Sequence, residues 1–275
     1  MVELLAGKYR LDRVIGRGSF GEVWEGTYVS LGMRVAIELA EDAGTKVGGG
    51  RARYEREART AAKLRTKHAV KVFDGGVSAA GEPYLVTEFL EATSLSRHLA
   101  DGGPLTFGET VAIVTQAAHA LEEAHSLGLV HRHVAPERVF LTADPDAPSS
   151  HPRLLAKVVV FDFSHGAAAP PNVASDILSL ATCAFTAMTA SSPFEGRSGP
   201  MVPAEFDAWF SRACAADPQR RFRSVRELAA SLARAYDEFA EAARDDTTPS
   251  HACSLPGDGA STGPERAPSS RRRAG

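Results

Sequence analysis

The chain has 275 residues, of which 44% are hydrophobic and 24% are charged. That composition is typical of a globular protein with a substantial core, divided into one large or two small lobes. The formal net charge of -3 provides no long-range attraction for nucleic acid, so we expect no nucleic-acid partner. No apolar run approaches the roughly 18 residues that span a bilayer. We therefore expect a cytoplasmic protein with no membrane partner.

The three cysteines, Cys183, Cys214 and Cys253, are widely spaced. Two of them lie within apolar helical patterns, which is typical of reduced thiols packed as small hydrophobic side chains. Their spacing forms no metal-binding motif.

Short β-like runs dominate the first part of the chain, from Tyr9 to Phe89. In order, these runs are YRLDRVIG, GEVWEGTYV, RVAIELA, AVKVFDGG and PYLVTEF. One helical segment, Arg51 to Arg65, interrupts them after three consecutive glycines at 48 to 50. This pattern predicts a small sheet with one helix.

From Leu105 onward the helical period takes over. Residues 177 to 188 are apolar almost all round, as expected for a helix inside a core. Another predicted helix has one apolar face, formed by Val114, Ala117, Ala118 and Leu121. Ser224 and Glu227 have the spacing of a capping box that opens a last helix, ending at about Arg244. Residues 245–275 are rich in Pro, Ser, Gly and Arg, and we expect them to be a disordered tail.

Eight motifs follow one another between residue 8 and about residue 243. They are GRGSFGEV at 16–23, VAIE at 35–38, REA at 56–58, YLVTEFLEATSL at 84–95, HRHVAPERVFL at 131–141, FDFS at 161–164, SDILSLATCAFTAMTASSPFEG at 175–196 and DPQRRF at 217–222. In this order the chain resembles a bacterial serine/threonine protein kinase domain of the eukaryotic type. The resemblance implies an α+β, two-lobed fold: a β-rich N-lobe with one helix at about 8–90 and a mainly helical C-lobe at about 91–243.

The glycine-rich loop of that family is complete here. Gly16, Gly18 and Gly21 allow a turn to lie close over phosphates and to offer backbone N–H groups, although such a turn alone could be an ordinary tight hairpin. The resemblance implies that adenine would contact Val23 and Ala36 and bond to the hinge backbone. The remaining residues implied for the nucleotide pocket are Thr87, Glu88, Leu90 and Phe140.

The phosphate-binding half of the family's pocket is altered. Glu38 occupies the place of the lysine that holds the α and β phosphates, and Glu57 matches the helix glutamate that pairs with that lysine. Two unit charges about 4 Å apart interact by about 4 kcal/mol at an effective dielectric near 20, so the exchange replaces attraction with repulsion on that scale. Alternatively, Glu38 points to solvent or pairs with Arg56 or Arg59. In either case the family's ion pair is lost.

The catalytic loop is altered as well. His133, Ala135 and Arg138 match the family's aspartate, its lysine and its magnesium-binding asparagine. Histidine could serve as a base, but without a lysine at 135 this function lacks support. Asp162 matches the second metal-binding position, and we expect Arg138 to pair with Asp162 in place of the cation.

A zinc site is the alternative reading of the same region. The fold could bring His133, Asp162 and His165 close enough to ligate zinc. His131 is excluded from this set because the resemblance implies that it packs against Phe163.

The segment between Asp162 and Asp176 is much shorter than in the family, where about forty residues form the platform for the protein substrate. It contains no A-P-E motif, so Arg221 lacks the glutamate with which the matching arginine pairs in the family. The activation segment is therefore truncated.

These departures predict a catalytically inactive kinase-like domain, a pseudokinase that acts as a binding or regulatory module. Its expected partner is another signalling protein, such as an active kinase or its substrate. ATP or ADP would bind weakly at most, and magnesium binding is not expected. The alternatives are a weakly active ATP-binding serine/threonine kinase, a repurposed nucleotide-dependent transferase, and a decaying paralogue.

Overall fold

The structure is a computed structural model. It describes residues 4–17, 21–40, 51–132, 134–144, 154–158, 172–193 and 202–245.

The N-terminal part forms a five-stranded antiparallel sheet with strand order β1-β2-β3-β5-β4. The strands are β1 (Tyr9–Arg17), β2 (Gly21–Tyr28), β3 (Met33–Ala40), β4 (Val72–Val77) and β5 (Pro83–Glu88). Helix α1 (Arg51–Ala61) lies between β3 and β4 in the chain and packs against β4. The predicted small sheet with one helix is confirmed.

Strand β3 shows how alternation sorts its side chains between two faces. Val35 and Ile37 are fully buried in a small core that also contains Tyr9, Tyr84 and Val86. Gly26 on β2 closes this core, because a Cβ there would lie 2.6 Å from the Arg10 carbonyl oxygen and 2.7 Å from Ile37 Cδ1. Ala36 and Glu38 point to the opposite face. Leu85, which lies opposite Glu38, belongs to the large core that also contains Ala58 and Ala61 of α1.

The second lobe is mainly helical, with a three-stranded sheet at its border with the first. Its helices are α2 (Leu95–Gly102), α3 (Phe107–Ser126), α4 (Val173–Thr189), α5 (Ala204–Ala213) and α6 (Val225–Asp245), and its sheet has the order β6 (Thr93–Ser94), β7 (Val139–Ala143) and β8 (Leu154–Val158). Its apolar residues form one large buried core. The predicted face of α3 is confirmed, since Val114, Ala117, Ala118 and Leu121 are all buried. The α+β, two-lobed fold class is confirmed.

The predicted extent of two elements was wrong for one physical reason. Helix α1 ends at Ala61, not at Arg65, and β4 begins at Val72, not at Ala69. The N–H groups of Arg65 and Thr66 donate to the Glu123 carboxylate, at 2.8 Å each, instead of continuing the helix. The chain then runs beside β8, and Ala69 forms a parallel bridge with Val158.

The last helix begins as predicted, with a different capping pattern. Ser224 Oγ accepts from the Glu227 N–H at 3.0 Å, but the Glu227 carboxylate accepts from the Arg223 N–H at 2.8 Å instead of the Ser224 N–H. The reciprocal box occurs at α3, between Thr106 and Glu109.

The packed cysteine is chemically inert. Burial raises the pKa of the Cys183 thiol to about 12, so the reactive thiolate is not formed near neutral pH. Cys214 follows α5 and is half-buried, while Cys253 lies outside the described residues.

Across the described ranges, none of the helices is both long and apolar enough to cross a membrane. The predicted disordered tail, residues 245–275, lies outside the described residues except for Asp245.

Candidate functional site

The register of the first sheet gathers several of the predicted pocket residues on one face. Val23 lies opposite Glu38, which in turn lies opposite Leu85, while Ala36 lies opposite Thr87. Directly opposed residues of antiparallel strands project to the same side, so these five side chains share one face. Gly16 lies opposite Val23 at the start of this face. Gly18 lies outside the described residues.

Glu38 therefore belongs to the face that carries Val23 and Ala36, and it is half-buried. Of the two arginines considered as its partner, Arg59 pairs with Glu55 one helical turn away, at 3.0 Å, and Arg56 is exposed. Pairing of Glu38 with either arginine stays a prediction. A carboxylate consequently stands on the face where the sequence predicted the nucleotide.

Glu57 on α1 is engaged by the second lobe. Its Oε1 lies 4.0 Å from Arg132 Nη2, and the two side chains are 28% and 17% exposed. This contact connects α1 of the first lobe to the loop that follows α3.

The backbone of that loop is held by a buried carboxylate. Asp176 on α4 is fully buried and accepts from the His131 N–H at 2.9 Å, the Arg132 N–H at 2.5 Å and His125 Nε2 at 2.7 Å. The Val134 N–H donates to Ser179 Oγ, one turn further along α4. Arg132 adopts a φ of 73°, a left-handed conformation that is unusual for a residue with a side chain. The loop is thus anchored to the core on both sides of position 133.

The hinge between the lobes contains a second charged contact. Glu88 Oε1 accepts from Lys157 Nζ at 2.6 Å and from the Lys71 N–H at 2.8 Å. Lys157 is buried on β8, directly opposite Phe140 of β7. Phe140 is half-buried, as is Leu90, which follows β5.

Arg34 supports the hinge from the sheet side. Its guanidinium carbon lies 4.1 Å from the centre of the Phe89 ring, and its Nη1 lies 2.8 Å from a Glu91 carboxylate oxygen. A second bond of 2.9 Å joins its Nη2 to Glu25 on β2.

The model for the family described as protein tyrosine and serine/threonine kinase matches residues 9–163. This chain belongs to that kinase family. Its relatives include serine/threonine-protein kinase PknH of Mycobacterium bovis, 30% identical over 93% of this chain and 49% of that protein. PknE of Mycobacterium tuberculosis is 29% identical over 88% of this chain and 48% of that protein. The chain spans about half the length of these curated relatives.

The same family includes a solved structure with a similar fold. A double mutant of the Mycobacterium tuberculosis PknI kinase domain superposes with a TM-score of 0.71 at 27% identity, covering 86% of this chain and 98% of that one. Another structure of the PknI kinase domain gives a TM-score of 0.66 at 27% identity, with coverages of 85% and 98%. The prediction that this chain is related to bacterial serine/threonine kinases is confirmed.

Several of the predicted kinase positions cannot be placed. His133, Asp162 and His165 lie outside the described residues, so the Arg138–Asp162 pair and the zinc alternative stay predictions. Ala135 precedes a short 3₁₀ turn, Pro136–Arg138, and Arg138 is half-buried at its end. Within the described ranges, no group of three or more His, Cys, Asp or Glu residues is arranged to hold a metal ion.

Arg221, whose partner in the kinase family is absent from this sequence, makes a local contact. Its Nε donates to the Ala215 carbonyl oxygen at 2.6 Å. The guanidinium therefore closes the turn between α5 and α6.

A groove of about 760 Å³ lies elsewhere on the helical lobe, between the end of α3 and the beginning of α6. His119, His125, Val173 and Arg226 are among the residues that line it. It contains none of the residues predicted for the nucleotide pocket.

Sequence reasoning missed Lys157 and Arg34. A lysine inside the apolar run LLAKVVVF was a usable signal, because a charge in a buried strand requires a partner. No comparable pattern marked Arg34, whose three contacts come from two separate segments of the chain, Glu25 on β2 and Phe89 and Glu91 at the hinge.

Proposed function

We propose that this chain is a catalytically inactive member of the kinase family, a pseudokinase that acts as a protein-binding or regulatory module. The observation that carries the proposal is Glu38, a half-buried carboxylate on the cleft face of β3. In active kinases the residue of this strand that meets the nucleotide phosphates is a lysine. A carboxylate there repels a polyphosphate, and partial burial reduces the screening of that repulsion.

The contact made by Glu57 supports the same function. In active kinases the helix glutamate pairs with the strand lysine, and this pair must be in place for phosphoryl transfer. Here Arg132 of the second lobe contacts Glu57. Glu57 therefore has a cationic neighbour. Unlike the strand lysine, however, the arginine at this position does not bind the nucleotide phosphates in active kinases.

Arg138 extends the argument to magnesium. It stands in the sequence position of the family's metal-binding asparagine, and an arginine repels a divalent cation. We propose that it pairs with Asp162, that magnesium does not bind, and that ATP or ADP binds weakly at most. His133 and Ala135 in the same loop replace the side chains that the family uses on the substrate hydroxyl and the phosphoryl group.

A role as a module is supported by the scaffold of the catalytic loop. Asp176 and Ser179 still fix the loop backbone, so the loss of reactive side chains comes without loss of the fold around them. We propose a cytoplasmic protein whose partner is another signalling protein, such as an active kinase or its substrate.

Nucleotide binding provides the first test. ATP with magnesium should leave the melting temperature of the wild-type chain unchanged. In Glu38→Lys, addition of ATP should raise the melting temperature measurably. Glu22→Lys is the matched control, because Glu22 lies opposite Leu39 and projects to the other face of the same sheet. A micromolar dissociation constant for ATP on the wild-type chain, measured by calorimetry, would contradict the proposal.

Restoring the family's polar groups provides the second test. The variant carries Glu38→Lys, His133→Asp, Ala135→Lys, Arg138→Asn and Ser164→Gly. We expect it to bind nucleotide without phosphorylating a peptide, because the short segment between Asp162 and Asp176 provides no platform for the substrate. Alignment of the reacting groups contributes on the order of 7 to 11 kcal/mol, more than acid–base groups can replace. Transfer of radiolabelled phosphate at an ordinary kinase rate would show that the truncation is not decisive.

A weakly active kinase, or a repurposed nucleotide-dependent transferase, is the second candidate. The common face of Val23, Ala36 and Thr87 favours it, because the family uses these positions around adenine. A magnesium-dependent rise in melting temperature with ATP, together with any phosphate transfer by the wild-type chain, would support this candidate.

A further inference from the structure

We propose that Arg132 and Glu57 form a releasable latch that sets the position of α1 against the second lobe without any bound nucleotide. The latch joins one residue on a rigid loop to one residue on a lightly packed helix. It does not depend on whether the protein is catalytically inactive.

Arg132 is the fixed half of the latch. Its backbone N–H donates to the fully buried Asp176, and its neighbours His131 and Val134 are bonded to the same helix, α4. Its side chain is 17% exposed and leaves the backbone from a left-handed conformation. The fixed backbone and the low exposure of the side chain together restrict the space that its guanidinium can reach.

Helix α1 is the movable half. Among its residues with described side chains, 55–61, only Ala58 and Ala61 are buried. Alanine buries little apolar area, so these described side chains contribute less packing than those of α3, which buries Phe107, Ile113 and Leu121 among others. The charged contact at Glu57 therefore adds to limited apolar packing along residues 55–61 in fixing where the helix lies.

The latch is suited to opening, unlike the charged contact at the hinge. Arg132 Nη2 and Glu57 Oε1 are 4.0 Å apart, and Glu57 is 28% exposed. Lys157 Nζ and Glu88 Oε1 are only 2.6 Å apart, and the side chains are 11% and 20% exposed. Ions and competing charges reach the first pair more readily, since water screens exposed charges more strongly than buried ones. The lobes therefore stay joined at the hinge while α1 can be released.

This arrangement defines the chemistry that would open the latch. A partner carrying a carboxylate or phosphate would compete for Arg132, and a partner carrying a guanidinium or ammonium group would compete for Glu57. Either would change the exposed surface of α1 without requiring ATP.

Hydrogen exchange of the full chain tests the latch. In Glu57→Gln and in Arg132→Gln, the amides of residues 51–61 should exchange about fivefold faster, the size expected for a partly exposed ion pair. Exchange in the α3 and α4 cores should stay unchanged. Raising the salt concentration from 0.1 to about 1 M, which shortens the screening length to about 3 Å, should accelerate exchange of 51–61 in the wild type but not in either variant.

A matched cycle separates the latch from ordinary helix stability. Glu55→Gln removes a charge from the same helix but breaks only the Glu55–Arg59 pair within it, which should change exchange by about twofold or less. In the double variant Glu55→Gln with Arg132→Gln, the fold increases in the exchange rate of residues 51–61 should multiply. In the double variant Glu57→Gln with Arg132→Gln, these amides should exchange no faster than in either single variant. Equal effects of Glu57→Gln and Glu55→Gln, or independent effects of Glu57→Gln and Arg132→Gln, would overturn the proposal. Because Glu57 is partly exposed on a lightly packed helix, its variant remains informative even if the Arg132 variant fails to fold.

Discussion

Asp176 and Glu38 are both carboxylates in a kinase fold, yet they occupy opposite kinds of site. Asp176 is fully buried and accepts three hydrogen bonds that fix the loop after α3. Glu38 is half-buried on the face where the family binds nucleotide. The first holds the loop backbone in place, and we propose that the second opposes the nucleotide that the family binds on this face.

The catalytic loop of a kinase has two separate requirements: a fixed backbone path and reactive side chains. The backbone path of the loop depends on Asp176 and Ser179, which lie outside the loop, on α4. The chemistry of the loop depends on the side chains at 133, 135 and 138. A sequence can therefore replace the second group while the first group continues to determine the shape.

The largest expected effect comes from removing the buried carboxylate. Asp176→Ala should lower the free energy of unfolding by about 3–5 kcal/mol, because it leaves two backbone N–H groups and the His125 ring without their acceptor. Urea denaturation measures this loss. Asp237→Ala, at an exposed position of α6, is the control and should change the value by no more than about 0.5 kcal/mol. A similar loss in both variants would remove the distinction between Asp176 and a surface carboxylate.

The next effect compares the two faces of β3. Ile37→Ala should cost about 2–5 kcal/mol, because Ile37 is fully buried in the small core of the first lobe. Glu38→Gln, one residue further on, keeps the size of the side chain and should change stability by less than about 1 kcal/mol. Thermal unfolding of the two single variants checks this. A large loss in Glu38→Gln would mean that its carboxylate stabilises the fold as Asp176 does.

A smaller effect concerns pH and the edge of the first sheet. Burial raises the pKa of Asp74, but the Tyr9 hydroxyl, the Lys8 ammonium and the Gly75 N–H outweigh it, so the pKa lies below the usual 3.8. A depressed carboxylate pKa stabilises the folded state above pH 3.8, and that contribution is lost as the pH falls toward the folded-state value. Between pH 5 and pH 3 the wild type should lose more stability than Asp74→Asn, by less than about 1 kcal/mol because the pair is partly solvated. Parallel pH profiles would contradict this.

The smallest effect is expected at a surface pair. Arg97 and Asp101 lie one turn apart on α2, with Arg97 Nε 2.7 Å from Asp101 Oδ2. Both side chains are more than half exposed. Asp101→Asn should cost about 0.3–0.5 kcal/mol, and 1 M salt should remove most of that difference. A larger, salt-insensitive loss would show that exposure is a poor guide to the contribution of a charge in this protein.

Local patterns in the sequence predicted much of this architecture. The alternation in RVAIELA identified β3, the helical period identified the buried face of α3, and the almost uniformly apolar run at 177–188 identified α4 as a core helix. The ends of α1 and β4 were not predictable in this way, because they depend on Glu123, which lies about sixty residues further along the chain. Local propensity carries no information about such distant acceptors.

The candidate site divides in the same way. Order and spacing of motifs placed Glu38 and Glu57, and the register of the sheet puts Glu38 on the face expected from that alignment. The contact between Glu57 and Arg132 was not predicted, because the sequence alone does not determine which way the arginine side chain points. The starting point of that side chain is fixed by a left-handed backbone that Asp176, a residue on another helix, holds in place.

The parallel bridge between Ala69 and Val158 has a consequence for dividing this protein into fragments. The Val70 N–H donates to the Val158 carbonyl oxygen at 2.9 Å, and the Val158 N–H donates to the His68 carbonyl oxygen at 2.8 Å. A recombinant fragment that stops at residue 90 would expose these backbone groups, and its complement would lose the pairing along one edge of β8. Neither half could satisfy them except with water or a foreign strand, which is a route to aggregation. Expression of this protein in pieces should therefore preserve residues 68–70 and 154–158 on the same polypeptide.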